Sequence, residues 1–275
     1  MTIDAHQHFW KYDPVRDAWI TPEMEAIRRD FYPADLKPLL QNSGIQGCVA
    51  VQADQSEAET NFLLDLAKAQ DWIKGVVGWV DLCDPQVEAR LEHYAQEPLI
   101  KGFRHIVQGE PDPNFMDRSD FRRGIAALSK FGFTYDILIF PHQLPAACRL
   151  VHDFPNQAFV VDHLAKPYIN AGKIDEWAGY MRHLARYQNC CCKISGMITE
   201  ADWFFWTYAH LEPYMEQVLE GFSPHRLMFG SDWPVCQVAG EYDQVVDIVR
   251  RFIAPLDQEA QNLIMGGTAQ LFYKL

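Results

Sequence analysis

Along its 275 residues the chain repeats one unit, a short apolar run followed by a longer amphipathic stretch. The runs fall at residues 2–8, 45–54, 73–82, 100–107, 133–140, 158–164, 190–197 and 226–233. They are rich in Val, Ile and Phe and do not alternate cleanly with polar residues, the pattern of parallel strands covered on both faces. Between them, residues 56–70, 85–96, 121–131 and 242–253 read as crossover helices. In the first, Phe62, Leu63, Leu66 and Ala67 share a face, Glu57, Asp65 and Lys68 face water, and Asp54-Gln55-Ser56-Glu57 supplies N-cap residues. Strand–helix alternation predicts parallel βαβ units, and eight units of about 34 residues predict a TIM-type (β/α)8 barrel, one α/β domain spanning residues 1–275. A doubly wound sheet would bring fewer strands and a Gly-rich phosphate loop after the first. Here the first run ends in His6-Gln7-His8.

Charge narrows the partners. A net charge of -13 and a pI near 5.1 repel phosphate backbones and anionic lipid, so neither nucleic acid nor a membrane is expected as partner. No apolar run reaches the length of a membrane span, and Met1-Thr2-Ile3-Asp4-Ala5-His6 does not read as a secretory leader, which together predict a cytoplasmic protein. The seven cysteines, three of them adjacent at Cys190–Cys192, form no C-x-x-C pair and read as buried reduced thiols.

In a parallel barrel the chemistry belongs at the C-terminal strand ends, and alternate residues share a face. The first run places Asp4, His6 and His8 on one face, either as two imidazoles meeting a metal or substrate oxygen or as a hydrogen-bonded structural pair. Their position at a strand end favours the first. The last run closes on Gly230-Ser231-Asp232-Trp233-Pro234, where a carboxylate after apolar residues is costly unless used, a helix cap being the alternative. In the sixth run His163 shares parity with Phe159 and Val161 and is expected inside the barrel, with Asp162 pointing away and Lys166 nearby. In the fourth, Arg104 shares parity with Gly102, so its guanidinium reaches the barrel mouth or makes a surface salt bridge, while His105 has the opposite parity. Tyr135 or Asp136 on the fifth run and Lys193 on the seventh are weaker site candidates. Trp10 and Trp233 each follow a site candidate and serve either as pocket walls or as core.

Four motifs appear in order across the chain: Asp4-Ala5-His6-Gln7-His8-Phe9-Trp10, Lys101-Gly102-Phe103-Arg104-His105, Asp162-His163-Leu164-Ala165-Lys166-Pro167 and Gly230-Ser231-Asp232-Trp233-Pro234. Together they resemble the amidohydrolase-2 branch of the amidohydrolase superfamily, and within it the group containing the sugar lactonases (L-fuconolactonase, L-rhamnonolactonase) and pyrone-dicarboxylate lactonase. The resemblance implies a distorted (β/α)8 barrel opening a small lactone at its mouth. By position it makes His6, His8, His163 and Asp232 catalytic. It makes His6, His8 and Asp232 the ligands of one divalent metal, zinc first, if the enzyme is mononuclear and not metal-free. The sequence departs from the wider superfamily where Arg104 and His105 replace a bridging lysine or glutamate, and where Phe133-Thr134-Tyr135-Asp136 lacks a histidine, so a two-metal centre is not expected.

On that reading Asp232 activates water against the lactone carbonyl, the histidines stabilise the oxyanion, and Arg104, Lys166, Trp10, His105 and Trp233 contact the substrate. A sugar lactone (L-fuconolactone, L-rhamnonolactone or L-galactonolactone) is favoured, since few basic residues stand at strand ends to clamp a dicarboxylate. The rivals are a metal-dependent decarboxylase of an aromatic or unsaturated acid, a dicarboxylate lactonase, and a barrel that binds without turnover. Association into an oligomer is compatible with all of them.

Overall fold

A computed structural model describes residues 1–275. Eight parallel strands are hydrogen-bonded in chain order: β1 (Ile3–Gln7), β2 (Gly47–Val51), β3 (Ile73–Gly78), β4 (Ile100–His105), β5 (Thr134–Ile137), β6 (Phe159–Val161), β7 (Cys190–Ile194) and β8 (Leu227–Phe229). The ring closes past the end of β8, where His8 N donates to Trp233 O at 2.7 Å and Asp232 N to His6 O at 2.8 Å. This is a TIM-type (β/α)8 barrel, joined at its seam by the residues that carry the chemistry. Each expected run contains one strand and runs on past its C-terminal end. The surplus is loop that mixes apolar residues such as Ala53, Ile106 and Leu138 with His8, His163 and Asp232, all lining a cavity there.

The outer ring contains α1 (Pro33–Asn42), α2 (Glu57–Ala69), α3 (Val87–Tyr94), α4 (Ser119–Phe131), α5 (Leu144–Asp153), α6 (Asp175–Leu184), α7 (Met197–Glu200), α8 (Tyr208–Phe222), α9 (Tyr242–Ile253), α10 (Gln258–Asn262) and α11 (Thr268–Tyr273). Ser56 caps α2 by accepting from Glu59 N, as its sequence predicts. The buried stripe of α2 is Thr60, Leu63, Leu64 and Ala67, rotated from the expected one so that Phe62 and Leu66 are only partly covered. None of the helices is long and apolar enough to cross a membrane.

Two apolar clusters divide the interior. The larger lies between strands and helices; the smaller, with Ile3, Ala5, Val49, Val51, Val77, Val160, Cys191 and Met228, fills the inside of the barrel. Ala269 and Tyr273 of α11 join the inner cluster and close the end opposite the cavity. Above this apolar floor the inward positions turn polar, with Arg104 on β4, Asp136 on β5, Asp162 after β6 and Lys193 on β7.

Two backbone irregularities decide which way the key side chains point. In β1, Asp4 pairs with Cys48 but Gln7 with Ala50, so one extra residue is accommodated between them. Ala5 and His6 therefore both face inward, and Asp4 does not share the histidines' face. It turns outward to accept from Ser231 N at 2.9 Å and Tyr242 Oη at 3.1 Å. On β6 the expected parity is reversed. Phe159 and Val161 pack outward, while Val160 and Asp162 point in. His163 reaches the interior only because the strand ends in a left-handed turn.

Candidate active site

That turn is built from four consecutive residues, His163, Leu164, Ala165 and Lys166, at φ +51°, +53°, +57° and +49°. Left-handed backbone costs an L-residue roughly 1–2 kcal/mol, so a run of four persists only where packing imposes it. Leu164 and Ala165 are fully buried, and Trp177 Nε1 donates to Leu164 O at 2.6 Å. The turn brings both His163 and Lys166 to the cavity. Two glycines make the room. A Cβ on Gly196, itself at φ +62°, would lie 2.7 Å from the His163 ring, and one on Gly230 would lie 2.7 Å from His6 Cβ.

Four donor atoms converge there. His6 Nε2 is 3.2 Å from His8 Nε2, and Asp232 Oδ1 lies 3.9, 3.4 and 3.7 Å from Nε2 of His6, His8 and His163. Each histidine is held at its other nitrogen: His6 by Asp162 at 3.3 Å, His8 by Val51 O at 2.7 Å, and His163 by Ser195 Oγ at 2.9 Å. The carbonyl of Val51 only accepts, so His8 carries its proton on Nδ1 and turns the Nε2 lone pair to the centre. Burial drives His6 and His163 well below the ordinary histidine range and lowers His8, which keeps the imidazoles neutral. At Asp232 burial opposes ionisation, but His163, His8 and Lys166 outweigh it and hold the carboxyl below its usual value.

Neutral imidazoles with fixed outer partners and one carboxylate make a zinc-type donor set. Donors about 2.1 Å from an ion in tetrahedral geometry lie roughly 3.4 Å apart, close to the spacing of His6, His8 and Asp232, which stand within 4.8 Å of one another. The residues fit one divalent ion. A second donor group, His6, Asp162 and His163, shares His6 with the first, and its carboxylate is already paired with Arg104 at 3.0 Å and Lys193 at 2.9 Å, which disfavours a second ion there.

Behind His6 lies an ionic cluster. Lys193 Nζ is 2.6 Å from Asp136 Oδ2, 2.9 Å from Asp162 Oδ1 and 3.1 Å from His6 Nδ1, with all three acidic and basic side chains fully buried. Tyr273 Oη donates to Asp136 at 2.7 Å. Arg104 also donates to Gln52 O. At Asp162 burial is outweighed by Lys193, His6 and Arg104, and the carboxyl stays well below its ordinary value. Burial raises Asp136 to about 6 despite Lys193.

The cavity has a volume of about 240 Å³ and is lined by His8, Arg104, His163, Lys166 and Asp232 together with Trp19, Ala53, Ile106, Gln108, Gly109, Leu138 and Val235. His6 lies just behind this surface, fully buried. The structure thus brings His6, His8, His163, Asp232, Arg104 and Lys166 together. It places three other expected contacts elsewhere. Trp10 is buried, donates to Arg29 O and packs on Phe31; Trp233 is buried between Phe9 and Phe31. His105 turns outward, stacks on Phe115 and meets Glu110 at 2.6 Å. Lys193, a weaker candidate from its sequence, and Ser195, which lies outside the expected set, share the inward parity of Cys191, a signal present in the sequence. Glu200, 3.5 Å from Lys166, and Trp19 lie where no period marks them.

The chain belongs to the amidohydrolase family, whose profile matches residues 3–275. It is 38% identical to an L-fucono-1,5-lactonase of Burkholderia multivorans over 100% of this chain and 96% of that protein. A second L-fucono-1,5-lactonase, from Burkholderia ambifaria, is 36% identical over 99% and 95% of the two chains. A crystal structure of an amidohydrolase from Burkholderia multivorans with bound zinc superposes with a TM-score of 0.96 at 38% identity, covering 100% of this chain and 99% of that one.

Proposed function

We propose that this protein is a lactonase that opens a small, uncharged sugar lactone of the L-fuconolactone type to its sugar acid. The observation that carries the reading is the convergence of His8, His163 and Asp232, with His6 behind them, on one small cavity whose two cations are already paired. Arg104 is committed to Asp162 and Gln52 and is 3% exposed; Lys166 faces Glu200. Arg104 is thereby committed, and Glu200 offsets the charge of Lys166, so the pair is poorly suited to clamp a dicarboxylate. A volume of about 240 Å³ suits a single sugar ring, lying just below the roughly 300–1,000 Å³ of pockets for drug-sized ligands. Two full-length relatives named L-fucono-1,5-lactonase support the same substrate class.

In the proposed reaction the Asp232 carboxylate takes a proton from water as the water oxygen bonds to the lactone carbonyl carbon. The carbonyl π electrons move onto oxygen. When the tetrahedral intermediate collapses, the ring C–O bond breaks and Asp232 returns the proton to the departing alkoxide, giving the hydroxy acid. Ser195 Oγ lies 2.9 Å from His163 Nδ1; in the tautomer where the hydroxyl donates, Nε2–H is left to donate to the oxyanion. Lys166 and Glu200 offer a donor and an acceptor to ring hydroxyls. A divalent ion held by His6, His8 and Asp232, with His163 alongside, supplies polarisation of the carbonyl and a more acidic water.

The test is acid release, followed with a pH indicator, across a panel of aldonolactones of both ring sizes using metal-analysed protein. Rapid hydrolysis of one stereochemical series is expected, with Asp232→Asn reduced at least about 100-fold. Hydrolysis of no member, or CO2 release from an aromatic acid, rejects the reading. Full activity of Asp232→Asn rejects the base.

A further inference from the structure

Building on the lactone reading, we propose that Trp19 is the platform on which the cavity seats the apolar face of the sugar ring, which makes it a specificity-determining residue. Trp19 is the one exposed tryptophan of the eight, at 41%, and it lines the cavity that also contains Asp232 and His163. What sets Trp19 apart is its place and not its exposure, since it stands in the wall of the cavity that holds the catalytic candidates, where a ligand ring can cover it.

The indole is fixed in place. Its edge packs on Trp10 at 6.0 Å and 86°, and Trp10 is itself anchored by Nε1 donating to Arg29 O at 2.8 Å and by Phe31 at 5.4 Å. The loop is tied down beside it. Asp17, buried, accepts from Asp13 N at 2.8 Å and from Arg16 Nε at 2.8 Å, and Ile20 N returns to Asp17 O at 2.9 Å. Trp10 thus acts as the foundation of the wall, and Trp19 as its surface.

The lining also divides by chemistry. His8, His163 and Asp232 serve the reacting carbonyl, while Trp19, Ile106, Leu138 and Val235 have no hydrogen-bond partner to offer a hydroxyl beyond the indole N–H. A sugar lactone is divided likewise, with hydroxyls around its rim and C–H bonds on its faces. A flat aromatic surface covers such a face at little entropic cost, since the indole has only two side-chain torsions.

Two variants test this, Trp19→Ala and Trp19→Phe, with L-fucono-1,5-lactone as substrate and L-fucose, a ring that cannot be hydrolysed, as calorimetric probe. Trp19→Ala should raise KM at least about tenfold with kcat within about threefold, and Trp19→Phe should restore KM to within about threefold of the parent. An Ala variant with unchanged KM, or one whose loss falls on kcat, overturns the platform. If the parent protein hydrolyses no lactone, the functional reading fails while the platform is judged by L-fucose. About tenfold weaker binding to the Ala variant upholds it; no binding to the parent, or equal binding to both, overturns it.

Discussion

Lys193 Nζ and Asp162 Oδ1 lie 2.9 Å apart inside the barrel, neither side chain exposed, and the same ammonium is 3.1 Å from His6 Nδ1. The residues come from strand ends 31 positions apart in sequence, at 162 and 193. Because the strand register sets both inward, the pair braces the first histidine from below.

A buried cation with two buried carboxylate partners cannot be removed singly without leaving charge unpaired. Lys193→Met should cost about 3–5 kcal/mol in urea unfolding. Adding Asp136→Asn, which keeps an acceptor for Tyr273 Oη, should recover most of that stability. A single variant as stable as the parent would show that the cluster is not ionised.

Glycine at 196 has both a left-handed backbone and the His163 ring against it. Gly196→Ala should displace His163 and lower kcat/KM at least about tenfold, because catalytic groups tolerate little misplacement. Circular dichroism should show the barrel retained. Unchanged kinetics would remove His163 from the proposed machinery.

Stability should also depend on pH through Glu59, which holds the cavity wall from behind at Ala53. Burial is the main cause that raises its carboxyl to about 8, against the Ala53 N–H that it accepts at 2.7 Å. The folded value exceeds the unfolded one of about 4.5. The folded state therefore holds the extra proton between those values, and the contribution, full below about 4.5, is lost as pH rises through about 8. Glu59→Gln, which retains the acceptor, should be flatter in this window and more stable than the parent by up to a few kcal/mol at pH 9. Parallel unfolding curves for the two proteins from pH 5 to 9 would contradict the shift.

Zinc added to metal-free protein should bind with a stoichiometry of one and raise Tm, since an ion at 100 times its Kd adds about 2.7 kcal/mol to the folded state. His8→Ala should abolish the shift. Two ions per chain would contradict the charge argument from Arg104, and an unchanged Tm would remove the proposed donor set.

The sequence by itself determined the eightfold rhythm, the parallel sheet and the strand ends at which His6, His8, His163 and Asp232 stand. Strand and helix periods are local properties of backbone geometry, and an apolar run ending in a polar residue is visible without neighbours. What only the tertiary structure decided were orientations and partners. One inserted residue in β1 separates Asp4 from the histidines' face, because a single added residue flips every side chain beyond it. On β6, in regular register with both neighbours, Val160 and Asp162 point in because ring closure turns that face to the interior. The strands that carry Arg104, Asp136, Asp162 and Lys193 must first be wound into a ring before those charges meet, so no spacing along the chain announces the cluster. Trp19 sits in a loop with no period at all, and it lines the cavity packed on Trp10, which Phe31 backs from beyond the next helical turn.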